Sequence, residues 1–120
     1  METKTAVRAL AALAQGTRLE VFRLLVEAGH GGRAAGEIAQ ATGVAPATLS
    51  FHLKELANAG LADARQDGRH VIYCANFQTM AALLSYLTEN CCARDGARCA
   101  PEPCNANDAP TSRARRPAAR

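Results

Sequence analysis

Apolar residues recur at helical spacing from the start of the chain. In KTAVRALAALAQ, Val7, Leu10, Ala11 and Ala14 fall three and four residues apart, which predicts an amphipathic helix packed on that stripe. Gly16 and Thr17 interrupt it, with Thr17 suited to cap the next helix. RLEVFRLLVEA then places Leu19, Phe22, Leu25 and Val26 on one stripe, and GHGGR reads as a flexible turn. A short helix is predicted around Glu37–Ala41, closed by Gly43, a residue suited to the left-handed end of a helix. VAPA turns the chain, and Pro46 fits the first turn of a further helix that runs to about Asn58 and stops at Gly60. The period then changes. LADAR and HVIYC are extended segments joined by QDG, and the Asp67-Gly68 pair is a hairpin signal. FQTMAALLSYLTEN returns to helical spacing with Phe77, Met80, Leu84 and Leu87. From Cys91 onward the periodicity is lost and Pro, Ala, Arg, Asn and Asp dominate, which predicts a mostly disordered tail. The expected architecture is mainly α with a small β-hairpin, with one domain over residues 1–90 and a cysteine-containing tail over 91–120.

Helix, tight turn, helix and hairpin in that order describe a winged helix-turn-helix. The helix beginning at Pro46 can be tested on a wheel of about 100° per residue. Leu49, Leu53 and Leu56 fall together with His52 beside them, whereas Ala47, Ser50, Phe51 and Lys54 fall opposite with Thr48 at the margin. The first set anchors the helix to a core. The second suits a major groove: hydroxyls meet phosphates or base edges, and an apolar group meets a thymine methyl. The bland alternative for this helix alone is an ordinary amphipathic helix, and the glycine turn and hairpin favour DNA. The hairpin brings Arg65, Arg69 and His70 near its tip, within reach of a phosphate or the minor groove, against the alternative of a solvated turn neutralised by Asp63 and Asp67. His52 reads as a packed or phosphate-facing histidine rather than a metal ligand.

Composition qualifies this picture in one respect. The net charge is +3, but residues 1–90 carry eight Lys and Arg against eight acids, and the excess lies in residues 91–120. Charge by itself therefore does not designate a nucleic-acid partner, and local placement has to. No apolar run approaches the ~18 residues of a membrane helix, and no signal peptide is legible, so a cytoplasmic protein with reduced thiols is expected. At 120 residues the chain makes one small domain with a modest core, for which a dimer sharing apolar surface is a natural supplement. No nucleophile–base pair or phosphate loop is visible, which argues against an enzyme.

The stretches LAQGTRLEVFRLL, GEIAQATGVAPATLSFHLKELANAGLADARQDGRHVIYC and LLSYLTENCC resemble the ArsR/SmtB family of bacterial metal-responsive repressors, over about residues 5–92. SFHLKELANAGL, Ser50 to Leu61, is the distinctive part, and YLTENCC is similar to arsenite-responsive members whose inducer thiols follow the last helix. The resemblance implies a homodimer, with first and last helices at the interface, bound to double-stranded operator DNA upstream of resistance genes and released by the inducer. It also implies where a metal site is missing here. GEIAQATG has no Cys or His on the short helix, and FQTMAALLSYLTEN has neither His nor Asp, so two sites used by other members are absent.

What remains is the cysteine cluster. Four of five cysteines lie within residues 86–104. Trivalent arsenic takes three thiolates in a pyramid, and soft sulfur donors select it and antimonite. Cys91 and Cys92 supply two; the third is Cys99 or Cys104, which follow the pair after six and eleven residues, neither matching the arsenite-responsive pattern. The shorter loop to Cys99 costs slightly less closure entropy. Neighbouring side chains on a helix diverge by about 100°, so both thiols can meet one ion only where the helix has ended, which Asn90 encourages. No permanent cofactor is expected. Cys74, at a strand end, reads as a small buried hydrophobe and stays outside the site. The same thiols leave other functions open: a sensor of methylarsenite or of Cd, Pb or Zn, a thiol redox-sensing repressor, or a metal-buffering module.

Overall fold

The computed structural model describes residues 1–94. Five helices and three short strands follow in the order α1 (Thr3–Leu13), α2 (Gly16–Ala28), a 3-10 turn (Gly29–Gly31), β1 (Arg33–Ala34), α3 (Ala35–Thr42), α4 (Pro46–Asn58), β2 (Ala62–Asp67), β3 (His70–Ala75) and α5 (Phe77–Leu87). This is a winged helix-turn-helix: mainly helical, with a three-stranded antiparallel sheet in the order β1-β3-β2. The chain divides after Leu87 into Met1–Leu87 and a segment that starts at Thr88. No helix among the described residues is long and apolar enough to cross a membrane.

Local chemistry sets the element ends. Gln15, and not Thr17, caps α2, its side chain accepting the Arg18 backbone N–H at 2.8 Å. Glu37 reaches back to the Ala34 N–H at 3.0 Å, and the Thr42 hydroxyl donates to the Ile38 carbonyl at 2.8 Å, closing both ends of α3. Gly43 is left-handed at φ 74°, as the turn into α4 requires, and Pro46 stands at the start of α4. The Asn76 carboxamide caps α5 by accepting from Thr79 N–H at 2.9 Å and donates to Asp63 at 3.1 Å.

The core is built from Val21, Leu25, Ile38, Leu49, Leu53, Leu56 and Leu61, all essentially inaccessible. Full burial of such side chains contributes ~1.5–3 kcal/mol each. The expected stripes on the outer helices are corrected. α1 buries Ala6, Ala9 and Ala12, while Val7, Leu10, Ala11 and Ala14 face outward. α2 buries Val21, Phe22 and Leu25 and leaves Leu19 exposed; α5 buries only Leu83 and leaves Leu84 and Leu87 exposed. The physical reason is that α1 has two apolar faces, a small one that permits close packing on its neighbours and a larger one left over. Periodicity alone does not rank two such faces. The Thr3 and Tyr86 hydroxyls hydrogen-bond, pinning α1 to α5.

Two local readings also change. GHGGR is a 3-10 turn followed by β1, whose Arg33 and Ala34 pair with Tyr73 and Ile72. Gly32 occupies φ 70°, ψ −167°, where a Cβ would stand 2.4 Å from the Tyr73 carbonyl oxygen. The final helix stops at Leu87, short of Asn90, and Thr88–Arg94 form turns.

Candidate nucleic-acid interface and thiol turn

α4 presents the face its sequence implied. Leu49, Leu53 and Leu56 are buried, and with them the helix can take only one rotation. Ala47, Thr48, Ser50, Phe51 and Lys54 are consequently exposed on the opposite side. His52 takes the packed of its two readings and not the phosphate-facing one: it is buried, at 8% exposure, and its Nδ1 accepts from the Arg18 guanidinium at 3.3 Å. Since arginine only donates, the imidazole proton of this tautomer is on Nε2. The Arg18 Nε–H donates in turn to the Ala12 carbonyl at 2.7 Å. Arg18 thus joins the end of α1 to the middle of α4 and fixes the angle at which the helix is offered. This positioning role carried no signal in the sequence, because one partner is a backbone carbonyl and the other lies 34 residues away.

The hairpin supplies a second element. Arg69 and His70 are exposed at its tip, where the tight turn after Asp67 uses Gly68 at φ 63°. Arg65 is corrected: it stands back from the tip, and its guanidinium donates to the Gly31 carbonyl at 3.0 Å and to Cys74 Sγ at 3.2 Å. Its length lets it bridge the wing to the 3-10 turn, so it braces the hairpin. Cys74 is half-buried rather than buried, its thiol pointing at the His30 carbonyl at 3.6 Å.

Cys91 and Cys92 lie in the turns after α5, with their sulfur atoms 3.5 Å apart. Asn90 and Cys92 both take left-handed backbone angles, φ 60° and 61°. This geometry, unlike a helix, brings adjacent side chains together. With metal–sulfur bonds near 2.3 Å, an ion bridging two sulfurs at an angle of about 100° needs them roughly 3.5 Å apart. Cys91 and Cys74 are free thiols. Cys99 and Cys104 lie outside the described residues, and among the described residues no three His, Cys, Asp or Glu side chains converge as a metal site.

Comparison with known proteins rests on this geometry. Residues 13–64 match the helix-turn-helix domain family. The homodimeric winged helix-turn-helix DNA-binding domain of a possible ArsR-family transcriptional regulator from Mycobacterium bovis is 32% identical, with a TM-score of 0.59, over 73% of this chain and 82% of that one. The chain belongs to the ArsR family of transcriptional regulators. As a member, it is a DNA-binding regulator of transcription and not an enzyme. This ArsR-family protein is also similar to a possible transcriptional regulator for arsenical resistance, at 29% identity and a TM-score of 0.58 over 66% of this chain and 79% of that one. An ArsR-like regulator from a Rhodococcus species shares the fold, with a TM-score of 0.67 at 24% identity over 77% of this chain and 84% of that one. Among curated proteins no match is found.

Proposed function

We propose that this ArsR-family regulator is a cytoplasmic, arsenic(III)-responsive repressor that binds operator DNA as a homodimer and leaves it when trivalent arsenic, or antimonite, binds thiolates after α5. The observation that carries the reading is the turn that holds Cys91 and Cys92 sulfurs 3.5 Å apart immediately beyond a helix with an apolar outer face. The outward Val7, Leu10, Leu84 and Leu87 of α1 and α5 form the surface a second copy covers. A repressor dimer then offers two α4 helices to successive major grooves, with the two wings beside them. The arsenical-resistance relative supports the choice of ion, and thiolate chemistry supports it independently.

Cys91 and Cys92 supply two sulfurs and the third comes from Cys99, with Cys104 the alternative. Each As–S bond forms as a thiol proton leaves with an arsenite hydroxyl as water. The ion ties thiolates together beyond α5 and biases the dimer toward a spacing of α4 helices that does not fit DNA. A tenfold loss of operator affinity needs about 1.4 kcal/mol of difference in ion affinity between the two forms.

An operator-binding titration at fixed salt, with the protein reduced by a phosphine, tests the reading. Arsenite is expected to weaken wild-type binding by at least tenfold and to leave the Cys91→Ser/Cys92→Ser variant bound within about twofold. Operator affinity unmoved by saturating arsenite would end the proposal. Cys99→Ser and Cys104→Ser name the third ligand by which of them loses the response, and no loss in either favours a methylated arsenical held by two thiols. The neighbouring sulfurs of Cys91 and Cys92 also fit a second reading, thiol redox sensing, in which peroxide releases DNA without any ion.

A further inference from the structure

We propose that Phe51 reads thymine through its 5-methyl group and sets the base preference of α4, an inference that rests on the DNA-binding reading above. With Leu49, Leu53 and Leu56 turned into the core, positions 47, 51, 54 and 58 form the line that faces directly away from it. Phe51 stands in the middle of that line and is 57% exposed. The other exposed large apolar residues, Met1, Val7, Leu10, Leu19, Leu84 and Leu87, lie at the chain start or on α1, α2 and α5. Dimer contact through α1 and α5 accounts for most of those and leaves Phe51 in water. The α4 face has an apolar group that subunit pairing does not cover.

The surroundings of the ring suit a base edge. The Phe51 ring packs edge-to-face against the buried His52 ring, centroids 5.6 Å apart and planes at 62°, so it is braced from the core side and open on the other. Ala47, one turn earlier, carries only a methyl and leaves room beside the ring. The outward line holds no Arg or Gln, and its Asn58 is the last residue of the helix. Ala47 and Phe51 at its start make no hydrogen bonds to bases, and Lys54, the sole cation and the one side chain suited to guanine, stands three residues beyond Phe51. Against an aromatic edge, the exposed amino and carbonyl groups of other bases would lose water without a partner, whereas the thymine methyl gains by leaving water. Phe51 therefore rejects as well as selects.

The experiment uses the full chain. A preferred duplex is selected from a random pool at fixed salt, and each thymine is then replaced singly by deoxyuridine, which lacks only the methyl. At least one replacement in each half-site is expected to weaken wild-type binding roughly fourfold, the worth of one buried methyl group. Phe51→Ala is expected to bind thymine and uracil versions equally while staying folded, with only a small fall in melting temperature from the lost contact with His52. Wild-type binding that ignores every replacement overturns the inference. So does a Phe51→Ala variant that keeps the preference for thymine. Both of these leave the DNA-binding reading intact, whereas a pool that yields no enriched sequence sinks that reading with it.

Discussion

Gly32→Ala is expected to destabilise the protein by roughly 3–5 kcal/mol, among the largest effects a single methyl group produces. Two independent penalties meet at this position. The backbone, at φ 70° and ψ −167°, occupies a region populated almost only by glycine. The added Cβ would also come within 2.4 Å of the Tyr73 carbonyl oxygen and 2.9 Å of an Ile72 methyl. The first contact is to backbone and has no side-chain rotation to relieve it. Relief requires β1 to move off β3, which breaks the Arg33–Tyr73 and Ala34–Ile72 pairing and separates Arg65 from Gly31. Gly29→Ala separates the two penalties: its φ is 73° and ψ −157°, but nothing lies within 4 Å of a Cβ there. It is expected to cost only about 1–3 kcal/mol. Thermal unfolding of both variants checks this, with a fall in Tm of ~12 °C or more for Gly32→Ala. Equal falls would show that the close approach to Tyr73 relaxes freely.

The second large effect is on assembly. Leu84→Glu is expected to convert the proposed homodimer to a monomer at micromolar concentration and to weaken operator binding by at least about a hundredfold. Leu84 is 57% exposed on α5, beside Met80 and across from Leu13 and Leu19 in an apolar groove. A carboxylate there is solvated in the free protomer, so the protomer keeps its fold. In the proposed pairing the carboxylate is buried in both copies, in a groove where Arg23 is the one cation and Glu27 stands beside it, so much of its desolvation goes unrepaid. A monomer offers one α4 where the operator has two half-sites. Sedimentation equilibrium and the operator titration check both parts. A Leu84→Glu protein that stays dimeric would place the subunit contact elsewhere.

These two sites differ in how far the sequence announces them. The apolar nature of Leu84 was plain, and only its outward direction was not. α4 was legible almost completely, because its leucines lie on one face and everything else on the other. α1 misled for the opposite reason: alanines at 6, 9 and 12 allow close helix packing, yet they score as weaker hydrophobes than Val7 and Leu10. β1 escaped notice because it is two residues long and its partners stand 38 to 40 residues further on. Charge alone puts Arg65 at the DNA side, and the wheel leaves His52 beside the leucines with a packed and a phosphate-facing reading both open. Their actual partners are a backbone carbonyl and a cysteine sulfur for one and Arg18 for the other, which no periodicity encodes. That the last helix ends before the cysteine pair was legible, although it ends at Leu87 rather than Asn90.

The outward stripe on α1 and α5 has a consequence for dosage in the cell. In the proposed homodimer, whose larger apolar side chains on α1 and α5 are kept for a second copy, the regulator works only above the concentration at which copies meet. Below that threshold, occupancy of the promoter climbs with the square of protein supply rather than in proportion to it. A modest fall in synthesis would then open the promoter steeply, with no inducer present.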